Sequence, residues 1–159
     1  KAEKKWDKKI NDKERKKAIR SALSAVVLKN IVSERGHKLP ENYPFILDDD
    51  FEKLKKSKEV ITALSNLGFK EELDRASTNK VRAGRGKSRA RKYKTKSSIL
   101  FIVKDDCELL KSAKNIKGAQ IVKVNQLNTE LLAPGADIGR VSLFSKGAIE
   151  KLEKEKLFM

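Results

Sequence analysis

The sequence is poor in the residues that build staples and metal sites. In 159 residues it has one cysteine and one histidine. Cys107 therefore has no disulfide partner within the chain, and with His37 it makes too small a set for a Cys/His zinc site. A reducing, cytosolic setting is the simple reading. Three prolines and eight glycines exclude collagen-like and mucin-like chains, and the absence of an internal repeat excludes a solenoid. No window approaches the roughly 18 consecutive apolar residues of a membrane-spanning helix, and Lys1 to Lys9 has no apolar signal-peptide core. Acid is in deficit too, with 22 Asp and Glu against 38 Lys and Arg, for a net charge of +16. A field of that sign attracts polyanions, nucleic acid before an acidic membrane.

Ile, Leu and Val recur in clusters, and the length suits one domain with a buried core. Five lysines and Trp6 fall within the first nine residues, so residues 1–10 read as a basic arm. Asn11 with Glu14 three residues later is a capping-box variant. Ala18, Ile19, Ala22, Leu23, Val26 and Val27 then predict an amphipathic helix from 12 to about 30. Phe45-Ile46-Leu47 predicts a buried strand closed by Asp48-Asp49-Asp50. A helix is expected over about 51–67, with Ser57 capping a second segment and Gly68 as its stop. A shorter helix is expected over Phe69 to Ala76.

Ile99 to Val103 is a continuous apolar run, the mark of a strand buried on both faces of a parallel sheet. Asp105 or Asp106 is placed as the cap of a helix reaching about Lys114. Strands follow at Ile121–Val124 and Val141–Phe144. A short helix is expected within Leu127–Leu132, ended by Pro134-Gly135, and Ser145 is placed as the cap of a last helix. Alternating strands and helices predict a three-layer α/β/α domain over 11–159, with a mostly parallel central sheet of about four strands.

One segment has no place in such a core. From Asn79 to Lys96 there are nine Lys and Arg residues and no acid, and only Val81 and Tyr93 are bulky apolar or aromatic residues. This reads as a long basic loop, self-repelling alone and ordered against a polyanion. Its candidate RNA-binding residues are Lys80, Arg82, Gly84, Arg85, Gly86, Lys87, Arg89, Arg91, Lys92, Tyr93, Lys94 and Lys96. Arginines fork onto phosphates, and glycines admit a close backbone approach. Tyr93 stacks on a base or covers the sheet edge. A membrane patch would need an apolar face beside the charge, and none is present. A flexible basic loop on a compact body favours RNA over DNA. In the arm, Lys4, Lys5, Lys8 and Lys9 surround Trp6, which stacks on a base or fills an apolar pocket. Arg140, after a turn-rich stretch, could reach a phosphate.

Other motifs fall short. Gly86-Lys87-Ser88 is similar to the end of a phosphate-binding loop, but Val81 stands where its first glycine belongs. Gly84-x-Gly86 lacks a third glycine, since Arg89 holds that place. Asp48-x-Asp50 after a strand faintly resembles the nucleophile motif of haloacid-dehalogenase-type phosphotransferases, but Glu52 stands where Thr or Val is required. Helix capping is the simpler role for these acids. His37 has no identifiable orienting partner. Cys107 reads as a packing residue in a helix's first turn, where its thiolate would be somewhat favoured. No catalytic residue, metal, cofactor or small-molecule substrate is expected.

Four ordered motifs carry a resemblance. Asn11-Asp12-Lys13-Glu14-Arg15 with Arg20-Ser21-Ala22-Leu23 resembles the start of the first long helix in the universal large-subunit ribosomal protein L four family. Arg35-Gly36-His37 follows as in archaeal and eukaryotic members. Arg82-Ala83-Gly84-Arg85-Gly86-Lys87 and Arg91-Lys92-Tyr93 are similar to its basic signature, and Leu132-Ala133-Pro134-Gly135 with Gly139-Arg140 to its late turn. The resemblance implies a structural protein of the cytoplasmic large ribosomal subunit. It would bind ribosomal RNA, neighbour other ribosomal proteins and have no catalytic site. It also implies that the match covers the C-terminal two-thirds of a member. A strand region and a tunnel-lining loop would precede it, and the basic arm would be that loop's returning stem. The alternatives kept open are a phosphotransferase using Asp48 and Asp50, and a non-ribosomal RNA chaperone.

Overall fold

The computed structural model describes residues 2–158. Asn11 opens the first helix as its spacing predicts, with its side-chain oxygen accepting from the Lys13 N–H at 3.0 Å. Helix α1 runs Asp12–Val27 and buries Ile19, Ala22, Ala25 and Val26. Leu28 turns extended, and α2 restarts at Lys29–Glu34, so the helix expected to about residue 30 is two helices.

Strand β1 is only Ile46–Leu47, with Leu47 buried and Ile46 exposed, which makes it half-covered rather than fully buried. The helix expected over 51–67 is also divided, into α3 (Asp49–Glu52) and α4 (Ser57–Asn66). Ser57 does not cap α4. It is the first helical residue, and its hydroxyl donates to the Ser112 carbonyl at 2.6 Å. Gly68 ends this region at φ +88°, and a Cβ there would meet the Pro40 Cβ at 2.9 Å, so glycine is required twice over. Helix α5 follows at Lys70–Ser77.

Strands β2 (Lys80–Val81) and β3 (Tyr93–Lys94) form a small separate hairpin. The main sheet resumes with β4, Leu100–Val103. Helix α6 is Leu109–Ser112, β5 is Gln120–Lys123 and α7 is Thr129–Leu132. Strand β6 is Ser142–Ser145, and α8 is Lys146–Lys154. Ser145 caps α8 as expected, its hydroxyl accepting from the Ala148 N–H at 3.2 Å. Asp105 and Asp106 do not cap α6, since Glu108 holds the cap position. They pair instead with lysines, Asp105 with Lys151 and Asp106 with Lys123, each at 2.7 Å.

The main sheet has the order β1-β6-β4-β5, and every pairing is parallel. Strand β4 lies inside it, with all four residues buried. Its side chains alternate between two cores. Phe101 and Val103 pack with Val60, Leu64, Phe69 and Leu143 on one side. Leu100 and Ile102 pack with Ile19, Ala22, Val26 and Leu132 on the other. Burial of each such Val, Leu, Ile or Phe side chain contributes about 1.5–3 kcal/mol. The result is the expected three-layer α/β domain on a four-stranded, parallel sheet. Among the described residues, no helix is long and apolar enough to cross a membrane.

Candidate nucleic-acid interface

The basic segment leaves the body where α5 ends. The hydroxyls of Ser77 and Thr78 both donate to the Asp74 carbonyl, at 2.8 and 3.1 Å, and close the helix. The chain then pairs with itself, Lys80 opposite Lys94 and Val81 opposite Tyr93. The Arg82 N–H donates to the Lys92 carbonyl at 2.8 Å. Gly84, at φ +76°, turns the chain into a short 3-10 segment at Arg85–Ser88. The Gly86 carbonyl then accepts from both Arg89 and Arg91, at 3.1 and 3.0 Å. The expected loop is thus a small hairpin. Its backbone groups satisfy one another locally, as backbone groups must, although its side chains bury almost nothing.

All nine cations of the hairpin are exposed: Lys80, Arg82, Arg85, Lys87, Arg89, Arg91, Lys92, Lys94 and Lys96. Lys80 and Lys94 face each other across the pair, a like-charge arrangement that opposes pairing by roughly 0.2–1 kcal/mol. A polyanion laid along the hairpin would relieve that repulsion. Tyr93 is 52% exposed, and the Lys92 ammonium lies over its ring at 5.4 Å from the centroid. A Cβ at Gly86 would meet only the exposed Arg82 side chain, at its Cδ, 3.0 Å away.

The arm is equally open. Lys4, Lys5, Trp6, Lys8 and Lys9 are all exposed, Trp6 at 74%, and the Lys4 ammonium lies 4.6 Å from the indole centroid. Lys1, the first residue of the expected arm, lies outside the described residues. The arm leads into α1 on one face of the sheet, whereas the hairpin leaves α5 on the other.

Arg140 is a correction. It is 1% exposed, and its guanidinium is turned inward. Nε donates to the Ser98 carbonyl at 2.8 Å, Nη1 to Gln120 Oε1 at 2.6 Å and the Leu131 carbonyl at 3.0 Å, and Nη2 to the Gly118 carbonyl at 3.4 Å. Burial first, and then nearby Arg35, pull its pKa down to about 10, which leaves it charged at neutral pH. Arg140 is a structural cation beneath the hairpin, not a side chain reaching out to phosphate.

His37 is a second correction, because it does have a partner. Its Nδ1 lies 2.8 Å from Oε1 of Glu72, which is completely buried. Burial alone would raise the Glu72 pKa. Donation from Arg75, His37 and the Lys38 N–H overrides it and holds the carboxyl down to about 2. The carboxylate is therefore ionised, and His37 Nδ1 also lies 3.1 Å from Arg75 Nη2. Nothing in the spacing of His37 and Glu72 predicts this contact. The Glu72–Arg75 pair, three apart on a helix, was legible.

Asp48 follows β1 and stands at the cap position of α3, exposed and without the side-chain capping bond expected of it. Asp50 is exposed, and a 2.6 Å bond from the Lys53 ammonium holds its carboxyl below the usual range. Burial pushes the Cys107 thiol up, contrary to the favoured thiolate expected, and Cys107 packs against the core ahead of α6.

Comparison with known proteins adds the family. The family model described as "Ribosomal protein L4/L1 family" matches residues 1–155. The protein named large ribosomal subunit protein uL4 of Nanoarchaeum equitans is 46% identical over 99% of this chain and 59% of its own length. Its counterpart in Methanospirillum hungatei is 43% identical over 98% of this chain and 62% of its own length. That of Methanoregula boonei is 42% identical over 92% of this chain and 58% of its own length. The chain thus spans about three-fifths of the length of these relatives. With a family match over nearly every residue and relatives above 40% identity, the chain belongs to the ribosomal protein L4/L1 family.

Proposed function

We propose that this chain is a structural constituent of the large ribosomal subunit. It binds large-subunit ribosomal RNA through the basic hairpin and the N-terminal arm, and so supports subunit assembly and translation. The observation that carries this reading is the hairpin: nine exposed cations, no acid, and two lysines held face to face. Family membership supports the ribosomal setting, and with it a cytoplasmic location and neighbouring ribosomal proteins as partners. The body acts as a rigid mount rather than as an enzyme, and the reading requires no cofactor or metal.

Binding through phosphates displaces condensed counterions, so about five contacts give a log–log salt slope of roughly −3.5 to −4.5. The test is to titrate an archaeal large-subunit ribosomal RNA transcript at several salt concentrations. Replacing Arg89, Arg91 and Lys92 together by alanine should make the slope shallower by about 2–3 and weaken binding at least thirtyfold at low salt. Unchanged binding by that variant would remove the hairpin from the interface. Equal affinity for unrelated RNAs of the same size would favour an RNA chaperone instead.

A further inference from the structure

The hairpin has no core of its own, yet both its legs are fixed to the body. The outgoing leg continues directly from α5. The returning leg is tied at consecutive groups. The Ser97 carbonyl accepts from Arg75 Nη2 at 2.9 Å. The Ser98 hydroxyl donates to Glu72 Oε1 at 2.8 Å, and the Ser98 N–H to the Gly118 carbonyl at 2.8 Å. The Ser98 carbonyl accepts from Arg140 Nε at 2.8 Å. Glu72 and Arg75 both lie on α5, so one helix holds both legs.

The root is densely satisfied. The two Glu72 oxygens accept five bonds: two from Arg75, and one each from His37, the Lys38 N–H and Ser98. Gly118 stands at φ +75°, where a Cβ would come within 2.4 Å of the Lys96 carbonyl oxygen. The backbone of Lys96, the last basic residue of the hairpin, is therefore backed directly against the body.

We propose that buried Glu72, Ser98 and Arg140, with half-buried Arg75, form a clamp that sets the direction of the basic hairpin. They act as positioning residues for RNA binding, through the hairpin rather than by contact with RNA. This inference rests on the RNA-binding reading of the hairpin. Its physical basis is pre-organisation. With the clamp open, about one residue of the returning leg, at Ser98, would have to be ordered when RNA binds, and its lost freedom would weaken the complex about tenfold.

The sign of one substitution separates the clamp from plain electrostatics. Glu72→Gln removes a negative charge, so charge alone predicts tighter binding. The clamp predicts binding weaker by about tenfold, measured with the 159-residue chain and the same transcript. Ser98→Ala changes no charge and should weaken binding about threefold. It carries the test if circular dichroism shows Glu72→Gln unfolded. Hydrogen exchange should quicken at the Ser98 amide in the folded variants and stay unchanged over Leu100–Val103. Wild-type affinity in folded Glu72→Gln, or in Ser98→Ala if only that variant folds, overturns the clamp. The hairpin alanine variant is run beside them. If it loses binding while the clamp variants keep it, only the clamp fails. If it too binds normally, the RNA reading itself fails.

Discussion

Strand β4 and the basic hairpin adjoin in the chain and are held by opposite physics. Leu100–Val103 is buried on both faces and paired on both sides, to β5 and to β6. The hairpin pairs through two residues on each strand, and all four of those residues are exposed. One draws its order from removing apolar surface from water. The other has backbone hydrogen bonds working against its own charge, and is steadied at its root by buried polar groups. Stability and recognition are thus located in neighbouring segments that meet at Ser97 and Ser98. Substitutions should be able to change either one while sparing the other.

The strongest way to break that separation is in the core. Phe101 is fully buried, with its ring stacked 5.9 Å from Phe51. Phe101→Ala should cost about 3–5 kcal/mol of stability in urea titration, while the folded fraction keeps its RNA affinity. A matching loss of affinity in folded protein would show the two regions to be coupled.

The next effect lies at the root between them. Glu72 is held at about 2, below its ordinary value of 4.5, so its contribution is present above about pH 5 and is lost as pH falls through 2. That amounts to about 3 kcal/mol, read as the difference between the pH profiles of the wild type and Glu72→Gln. Parallel profiles would show that the carboxylate is not stabilised by its donors.

The smallest effect sharpens the contrast within the hairpin. Lys94→Thr removes the repulsion with Lys80 and should steady the pairing by roughly 0.2–1 kcal/mol. It should also remove about 0.7–0.9 from the RNA salt slope. Slower exchange at the Arg82 amide would report the first effect. A hairpin steadier and yet weaker in binding separates local stability from function, whereas faster exchange would remove the repulsion argument.

Much of the fold was legible in the residues. The Asn11 and Ser145 caps, the doubly buried run at Leu100–Val103 and the stop at Gly68 rest on short-range rules, and each is present. The break at Leu28 was missed because the apolar spacing continues across it, whereas the second segment expected at Ser57 is present with Ser57 as its first residue rather than its cap. The hairpin was read as a loop because two-residue strands rich in lysine leave no hydrophobic pattern. Asp105 and Asp106 were misplaced because α6 begins only at Leu109, which puts Glu108 at the cap and leaves both aspartates to pair with lysines brought near by the fold, Lys151 and Lys123.

The sequence by itself determined where charge and oil are concentrated: a basic segment that cannot bury a face, beside an apolar run that must. Hydrophobicity and charge are properties of each residue, so their pattern survives without coordinates. Which charged residues go inside was decided only by the tertiary structure. Glu72 and Arg140 look like surface residues until His37, Ser98, Gly118 and Gln120 arrive from distant parts of the chain to satisfy them. Burying a charge costs more than a single residue can offset, so the choice belongs to the assembled partners.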